Sequence, residues 1–326
     1  MLTIKYGSGI QAFGNSIPFG YNASSGAGYV NRMSAWVGGA VENRAIGSTG
    51  VKSIAEQGYT YHPYGSRSKL CIWDGPLNDI RGASAAALDC IKPALDAFLS
   101  SAFMGGGRPA SHSQVIRSGT WSALSNAWGG KAFPLSGTPL LTTDPNASLT
   151  FSFTGPNISV HAFSTGGVGN YGNLNIEIDG VSTVFEIQGK AKAADVACAA
   201  AKAFFGLGAG AHTIKISPVG AGNTVVDCIG IPYAPNFAPV LVGQIPYITN
   251  WTQYGAIGTK ADVDAANIII ANAVDEWKAA GFPVECVNTN DFYDAVTGCD
   301  TDGIHPTNIG HLNYATGYLS KIRIIP

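Results

Sequence analysis

Charged side chains are scarce in this sequence of 326 residues, since Asp, Glu, Lys and Arg make up only 12% of it. That share is about half of the roughly 25% that is typical of globular proteins. The 19 basic and 21 acidic residues nearly cancel and leave a formal net charge of −2. A chain with so little positive charge lacks the electrostatic footprint of a nucleic-acid-binding protein, and we expect no nucleic-acid partner.

Long apolar runs are also missing, and none approaches the ~20 residues that a membrane-spanning helix needs. The first residues, MLTIKYGSGIQAFGNS, have no basic segment followed by an apolar one, so no signal peptide is visible. Hydrophobic residues nevertheless make up 46% of the chain, which is ample for a core and argues against disorder. We therefore expect a folded protein without a membrane span.

The six cysteines include no Cys-x-x-Cys pair and no Cys/His spacing typical of zinc ligands, which argues against a zinc site. Their even number permits disulfides. Cys286 and Cys299 bracket a loop near the C-terminus and are the first pair to test. The alternative is that the thiols are buried and act as small hydrophobic side chains.

The two outer segments, residues 1–112 and 236–326, have the patterns of an α/β domain. Short apolar runs at 69–73 and 240–242 predict strands that are buried in a parallel sheet. Helical periodicity predicts helices over residues 84–103, 261–280 and 306–321. Pro93 is expected to kink or split the first, and Pro306 is suited to the first turn of the last.

Residues 113–235 alternate apolar and polar side chains with a period of two, which is typical of antiparallel strands. Among them, the turn at Asp179 and Gly180 predicts a hairpin whose second strand covers residues 184–187. The simplest organisation is one α/β domain, made from both ends of the chain, that is interrupted by an inserted antiparallel β-sandwich. A surface insertion is inexpensive because loop-closure entropy grows only logarithmically with loop length.

Four short motifs contain residues suited to catalysis. Ser16 lies in the glycine-flanked turn GNSIPFG, where its hydroxyl can face a cleft. Asp302 and His305 are three residues apart before a helix, so the carboxylate can fix one imidazole nitrogen and leave the other as a base. Asn78 and the glycine loop of residues 43–50 could donate hydrogen bonds to an oxyanion. Each motif, taken alone, is also explained as an ordinary turn or helix cap.

In this order, the four motifs resemble the SGNH (GDSL-type) hydrolase family over the two outer segments. The strongest match is DGIHP, residues 302–306, with the Thr307, Asn308 and Gly310 that follow. The resemblance implies a three-layer α/β/α hydrolase with a parallel sheet. It also implies a serine esterase without a metal or an organic cofactor, in which Ser16 is the nucleophile.

By the same resemblance, His305 is the general base and acid, and Asp302 orients it. The oxyanion hole is then formed by Asn78 and by the backbone N–H groups of Ser16 and Gly47. Counting along the motif places Ser48, not Gly47, on the usual glycine position, so either backbone N–H could serve.

Two further departures from the family pattern concern single positions. Asn15 stands where the family usually has Asp, and Gly75 and Asn78 have one more residue between them than the usual Gly-x-Asn-Asp. Neither departure removes a member of the proposed triad.

Other aromatic and histidine residues are weaker candidates. Trp251 and Tyr254 could stack on a sugar ring at the cleft, or they could pack under their loop. We expect structural roles for the remaining histidines, which are His62, His112, His161, His212 and His311.

The inserted segment resembles the carbohydrate-binding, galactose-binding-like jelly rolls, through residues 173–180, 207–214 and 225–229. With the hydrolase motifs, this resemblance implies a short-chain acyl esterase, acting on acetyl groups of an O-acetylated carbohydrate. The alternatives are a lipase or phospholipase of the same family and a catalytically silent carbohydrate-binding protein. Low charge, abundant glycine and no visible signal peptide also resemble virion-associated hydrolases of phage tails, so an extracellular or virion-associated location is expected.

Overall fold

The computed structural model describes residues 1–50, 54–55, 57–58, 69–124, 138–164, 172–187, 198–220, 222–233 and 238–326. The strands are, in chain order, β1 (Leu2–Lys5), β2 (Ile10–Phe13), β3 (Val41–Asn43), β4 (Leu70–Trp73), β5 (Met104–Pro109), β6 (Ile116–Ser118), β7 (Ser122–Ala123), β8 (Leu140–Thr142), β9 (Ser148–Thr154), β10 (Ile158–Ser164), β11 (Leu174–Ile178), β12 (Val181–Phe185), β13 (Cys198–Phe204), β14 (Ala211–Pro218), β15 (Thr224–Pro232), β16 (Val240–Gly243), β17 (Val284–Val287) and β18 (Ile322–Ile325).

The helices in the described residues alternate with the first and last groups of strands. They are α1 (Ser16–Phe19), α2 (Tyr29–Val37), α3 (Leu77–Ala83), α4 (Leu88–Ala102), α5 (Lys260–Ala279), α6 (Ala295–Gly298) and α7 (Asn308–Leu319). Residues 54–55 and 57–58 are also helical, and short 3₁₀ turns cover Ser84–Ala87, Gln253–Gly255 and Thr289–Asp291.

A five-stranded parallel sheet forms the first part of the molecule, in the order β17-β16-β4-β2-β3. Strands β2, β4 and β16 are buried along their whole length. For β4 and β16 this confirms the buried strands that the apolar runs at 69–73 and 240–242 predicted. Strands β1 and β18 form a separate parallel pair. All five strands of the larger sheet point the same way, so β2 and β4 end at one edge.

Helices from both ends of the chain pack with this sheet around one hydrophobic core. Helix α5 confirms the predicted helix of residues 261–280, and a capping box of Thr259 and Asp262 fixes its start. Helix α4 continues through Pro93. The last helix begins at Asn308 and not at the predicted Pro306, because the Thr307 side chain caps it by accepting from Gly310 N–H.

The second part of the molecule has two antiparallel sheets that enclose a second core. One has the order β12-β11-β14-β9-β6, and the other has the order β13-β10-β15-β8-β7, with β5 also paired to β15. In the β11–β12 hairpin, Asp179 and Gly180 have φ values of 49° and 84° and form a two-residue turn. The second strand therefore starts at Val181 and ends at Phe185, earlier than the predicted 184–187.

The parallel and antiparallel parts are in contact, and two of their contacts bear on the boundary between them. Strand β5 pairs with β15, although the sequence pattern assigned residues 104–109 to the first segment. Alternating alanines of β13 face different cores, since Ala199 and Ala201 belong to the first and Ala200 to the second. The domain boundaries at 113 and 235 stay a prediction, and the β5 pairing would move the first of them to about residue 104.

Among the described residues, the side chains of Cys71, Cys228, Cys286 and Cys299 are free thiols. The disulfide between Cys286 and Cys299 is therefore not formed, and the Tyr293 hydroxyl lies 2.8 Å from the Cys299 sulfur. Burial raises the pKa of the Cys286 thiol to about 12, so it stays protonated. The described helices include none that could cross a bilayer, and the described residues hold no cluster of metal-binding side chains.

Candidate active site

The turn that carries Ser16 follows β2 at the carboxyl edge of the parallel sheet. It begins at Gly14, whose φ is 152°, and a Cβ there would lie 2.5 Å from Cγ of Pro18 and 3.1 Å from Cβ of Asp74. Glycine is therefore required for the chain to enter the short helix α1 so closely against its neighbours. Gly20, with a φ of 91°, ends the helix.

Asn15 caps the helix that Ser16 opens. Its Oδ1 accepts a hydrogen bond from Ile17 N–H at 2.9 Å, and its Nδ2 donates to the Gly75 carbonyl at 2.9 Å. The first hydrogen bond fixes the first turn of α1, and the second joins that turn to the loop after β4. The two hydrogen bonds of Asn15 thus fix the backbone next to Ser16.

The side chains of Ser16, His305 and Asp302 come together, although 289 positions separate the serine from the histidine. The Ser16 Oγ lies 2.8 Å from His305 Nε2, and His305 Nδ1 lies 2.6 Å from Asp302 Oδ2. A carboxylate can only accept, so Nδ1 carries the proton of a neutral imidazole. Nε2 then accepts a hydrogen bond from the serine hydroxyl.

The carboxylate of Asp302 is well supplied with donors. Its Oδ1 accepts from the backbone N–H groups of Ile304 and His305, each at 2.9 Å, and Asn22 Nδ2 lies 3.3 Å from its Oδ2. Burial alone would raise the pKa of Asp302, but the hydrogen bonds from the His305 ring and these backbone groups outweigh it and lower the pKa. Asp302 is therefore ionised at neutral pH.

The loop that carries Asp302 and His305 is held against the loop after β16. The Gly303 carbonyl accepts from Thr249 N–H and Asn250 N–H, at 2.9 and 3.1 Å. Gly303 has a φ of 68°, and a Cβ there would lie 2.5 Å from Cβ of Asn250. The glycine of the DGIHP motif is therefore needed both for the backbone conformation and for this close approach.

The predicted oxyanion donors lie around the same sheet edge. Asn78 is in helix α3, directly after β4, and one hydrogen of its amide is donated to the Thr49 carbonyl at 3.0 Å. Gly47 is exposed, and its loop adjoins the Ser16 turn through the Ile46 N–H bond to the Gly14 carbonyl. Ser48 has a φ of 64°, so the left-handed conformation falls on the serine and not on Gly47.

The predicted aromatic contacts, Trp251 and Tyr254, differ from each other. Trp251 is half-buried and packs against the first core. Tyr254 is 77% exposed, and its ring centroid lies 5.9 Å from the Arg81 guanidinium. Of the two, only Tyr254 presents a large free surface.

Sequence reasoning missed Tyr21 and Asn22, which follow α1 and touch two members of the group. The Tyr21 ring lies 4.4 Å from the His305 ring, centroid to centroid, and is 49% exposed. Asn22, with a φ of 62°, reaches Asp302. Both contacts arise because the chain wraps back over the histidine loop, so no local pattern in the sequence reveals them.

A second missed group lies just beneath the Ser16 turn. Asp74 follows β4 directly, is 1% exposed, and accepts hydrogen bonds from the hydroxyls of Tyr29 and Tyr318 at 3.1 and 3.3 Å. Burial raises its pKa to about 7, although these hydrogen bonds and that from Gly75 N–H partly offset the effect. No local pattern in the sequence reveals this cluster, because its three members are far apart in the chain and meet only in the fold.

The other histidines have structural surroundings. His311 is fully buried, where its Nδ1 accepts from Tyr29 N–H and its Nε2 lies 3.4 Å from the Tyr21 carbonyl. Burial lowers the pKa of His311 to about 4 and that of His161 to about 3. His112 accepts from Gln114 N–H, and His212 pairs with Asp179. His62 lies outside the described residues.

No protein-family model and no curated protein matches the sequence. Among solved structures, a two-domain esterase active on acetylated mannans is similar at 10% identity and a TM-score of 0.39, over 69% of this chain and 91% of that one. An exo-β-1,3-galactanase from Phanerochaete chrysosporium is similar at 17% identity and a TM-score of 0.29, over 39% of this chain. The match spans 29% of the galactanase chain.

A family 35 carbohydrate-binding module from Clostridium thermocellum is also similar, at 17% identity and a TM-score of 0.29, over 40% of this chain and 99% of the module. The structural neighbours of this mixed α/β chain thus include an esterase and carbohydrate-binding modules.

Proposed function

We propose that this protein is a serine esterase that removes short acyl groups, acetyl above all, from a carbohydrate. The observation that carries the proposal is the continuous contact from Ser16 Oγ to His305 Nε2 and from His305 Nδ1 to Asp302, at 2.8 and 2.6 Å. A serine is a weak nucleophile unless a base takes its proton, and a neutral imidazole oriented by a carboxylate is suited to that task.

In the first half of the reaction, the Ser16 oxygen attacks the ester carbonyl and its proton passes to His305 Nε2. The ring is then a cation, which the ionised Asp302 stabilises through the Nδ1–H bond. The tetrahedral intermediate collapses when Nε2–H gives this proton to the leaving alcohol oxygen. The products of this half are a free sugar hydroxyl and an acyl group bound to Ser16.

In the second half, a water molecule takes the place of the alcohol. His305 Nε2 accepts a proton from the water as its oxygen attacks the acyl carbonyl, and the same proton returns to Ser16 Oγ when the acid leaves. Asp302 keeps its charge throughout, because its lowered pKa leaves no tendency to accept a proton at neutral pH. The cycle needs water alone as the second substrate.

The charge that develops on the carbonyl oxygen needs donors fixed in advance. We assign this role to the backbone N–H of Ser16, to the second amide hydrogen of Asn78 and to the backbone N–H of Gly47. Asn78 donates one hydrogen to Thr49, so its amide is already oriented and a second hydrogen is left for substrate. No group of the described residues accepts from the N–H of Ser16 or Gly47.

The carbohydrate preference is proposed from what surrounds the reacting pair. The exposed side chains of Tyr21 and Asn22 contact His305 and Asp302. Tyr254 is exposed on the loop after β16, whose Thr249 and Asn250 hold the Asp302 loop. Such aromatic and amide groups suit ring faces and hydroxyls better than a hydrocarbon chain. In this proposal, the parallel sheet and its helices form an SGNH-type three-layer domain. The two antiparallel sheets form an inserted, jelly-roll-like domain that binds carbohydrate.

The proposal is tested with p-nitrophenyl esters of increasing chain length, from acetate to octanoate, followed by acetate release from acetylated mannan and acetylated xylan. We expect the rate to be highest with acetate and to fall steadily as the acyl chain lengthens. Ser16→Ala is the matched control, since it removes one hydroxyl and leaves the surrounding turn in place.

Two other results would each favour a different function. A rate that rises towards octanoate would favour a lipase or phospholipase, which must bind a long acyl chain. Hydrolysis of none of these esters, together with binding of the chain to the polysaccharides, would favour a catalytically silent carbohydrate-binding protein.

A further inference from the structure

The carboxyl group of Asp74 lies beside the Ser16 turn, and the groups of the described residues that donate to it are neutral. Its Oδ1 accepts from Gly75 N–H at 2.9 Å and from the Tyr318 hydroxyl, and its Oδ2 accepts from the Tyr29 hydroxyl. No cationic side chain of the described residues forms an ion pair with it. A buried carboxyl group that lacks a cation is unfavourable for stability, so its presence at this position calls for an explanation.

A short series of hydrogen bonds connects Asp74 to the nucleophile turn. Gly75 donates its N–H to Asp74 Oδ1, and its carbonyl accepts from Asn15 Nδ2. Asn15 Oδ1 in turn accepts from Ile17 N–H, in the first turn of the helix that Ser16 opens. One glycine and one side chain, Gly75 and that of Asn15, therefore link a buried carboxyl group to the backbone that places the Ser16 hydroxyl.

The middle of this link has no room for a side chain. A Cβ at Gly75 would lie 2.9 Å from both the backbone nitrogen and Cγ1 of Ile245, which follows β16. Only glycine lets the chain after β4 come this close to the end of β16. Gly75 is therefore the residue type that fits between Asp74 and Asn15.

The position of Asn15 needs a side chain that donates at one end and accepts at the other. The amide does both, at 2.9 Å on each side, while it is almost fully buried. A carboxylate could accept from Ile17 but would place a negative oxygen against the Gly75 carbonyl. It would also be a second buried carboxyl group close to that of Asp74, because Gly75 bonds to both side chains.

We propose that Asn15 and Asp74 are a coupled pair of positioning residues, in which Asp74 fixes Gly75 and Asn15 joins Gly75 to the Ser16 turn. The proposal rests on the proposed function, because Ser16 is taken as the nucleophile. Neither residue touches the substrate. Their effect is on the placement of the Ser16 hydroxyl relative to His305.

The test is a double-mutant cycle at pH 8 with Asn15→Asp, Asp74→Asn and the double variant, assayed with p-nitrophenyl acetate. We expect Asn15→Asp to lower kcat by about 30- to 100-fold and to change KM by less than about threefold, because misplacing a nucleophile by a fraction of an ångström slows the chemical step. Asp74→Asn should lower kcat by about tenfold. The double variant should be at least about fivefold more active than the product of the two single effects. It again has only one buried carboxyl group, and the second substitution acts on a link that the first has already broken.

Asn173→Asp is the control. Asn173 precedes β11 in the antiparallel part, and its Oδ1 accepts from Ile187 N–H at 3.1 Å. The same substitution there introduces a carboxyl group at a side chain that accepts from a backbone N–H, outside the part that carries Ser16, Gly75 and Ile245. We expect a lower melting temperature and a kcat within about threefold of the wild type.

Asn15→Ser covers the case in which Asn15→Asp does not fold. Serine keeps an N-cap acceptor for Ile17 N–H but is too short to reach Gly75, so only the hydrogen bond to the Gly75 carbonyl is lost. A kcat about tenfold lower with a nearly unchanged melting temperature supports the proposal. A kcat within threefold of the wild type in the folded Asn15 variants overturns it, and so do single effects that multiply without coupling.

The coupling can also be measured without activity. If the wild-type chain hydrolyses no ester, the proposed function fails, and the same cycle is then measured as melting temperatures at pH 8. A double variant that melts several degrees above the additive expectation would still support the coupled pair. Strictly additive melting temperatures would overturn the pair independently of any catalysis.

Discussion

The two parts of the molecule each contain a histidine bonded to an aspartate, with the same geometry but different consequences. In both His305–Asp302 and His212–Asp179, the Nδ1 to Oδ2 distance is 2.6 Å. The other nitrogen of His305 faces the Ser16 hydroxyl, which can donate to it. The other nitrogen of His212 faces the Gly208 carbonyl at 3.2 Å, which can only accept.

This difference decides which ring nitrogens must carry a proton for every hydrogen bond of each pair to form. His212 can satisfy both neighbours only when both ring nitrogens carry a proton, and its pKa is raised first by the bond to Asp179 and then by that to Gly208. His305 satisfies both neighbours as a neutral ring with the proton on Nδ1. A histidine–aspartate pair is therefore a base only where the free nitrogen faces a group that can give up a proton.

The largest expected effect separates the two histidines by catalysis. Ser16→Ala and His305→Ala should each lower kcat for p-nitrophenyl acetate by about 10⁴-fold or more, since members of a catalytic group act as a unit. His212→Ala should keep kcat within about twofold of the wild type. The comparison would break down if His212→Ala were as inactive as His305→Ala while both remained folded by circular dichroism.

The second largest effect distinguishes the two aspartates by their influence on kcat. Asp302→Asn should lower kcat by about 10²- to 10⁴-fold, because an amide no longer holds the His305 proton on Nδ1 or stabilises the cation. Asp179→Asn, the same change in the other pair, should leave the kinetics unchanged. Equal kinetics for the two variants would show that Asp302 only shapes its loop.

A third effect concerns the aromatic ring beside each histidine. The ring centroid of Tyr21 lies 4.4 Å from that of His305, and that of Phe153 lies 5.2 Å from that of His212. Tyr21 is half-exposed and Phe153 is buried. Tyr21→Leu should raise KM for an acetylated oligosaccharide by about tenfold, through loss of a stacking surface, whereas Phe153→Leu should lower only the melting temperature. An unchanged KM in Tyr21→Leu would remove this residue from the binding surface.

The smallest effect is on stability and depends on pH. The pKa of His212 is raised in the folded chain, so its pair with Asp179 stabilises the fold fully below the unfolded pKa of about 6.5 and this contribution is lost as the pH rises through the folded value. His212→Gln should therefore lower the melting temperature by a few degrees at pH 5 and by much less at pH 9. A loss that is equal at both pH values would show that the pair is not charged.

The parts of the fold that sequence predicted best are those fixed by local patterns. The fully buried strands β4 and β16 follow from continuous apolar runs, and helix α5 follows from its helical periodicity. The start of α7 was wrong by two residues, because a capping threonine at 307 outweighs a proline that is suited to a first turn. Strand β12 was placed too late, because the turn at Asp179 is complete after two residues.

The proposed triad could be found from sequence because glycines and a three-residue spacing surround its members. Tyr21, Asn22 and Asp74 could not be found, since each contacts the site only after distant segments have packed together. The contacts of Asn15 could not be found from the sequence either. The sequence shows only that Asn15 stands where a family pattern has Asp, and the two hydrogen bonds of its amide give a structural reason for this difference.

The central claim is that Ser16 is an activated nucleophile, and the most direct measurement is covalent labelling. The chain is incubated with a p-nitrophenyl alkylphosphonate, a reagent that phosphonylates a serine only when a base takes its proton, and the adduct is located by peptide mass spectrometry. We expect one adduct per chain, on Ser16, retained in His212→Ala and lost in His305→Ala. An adduct on another residue, or unlabelled Ser16 in a chain that still hydrolyses esters, would contradict the claim.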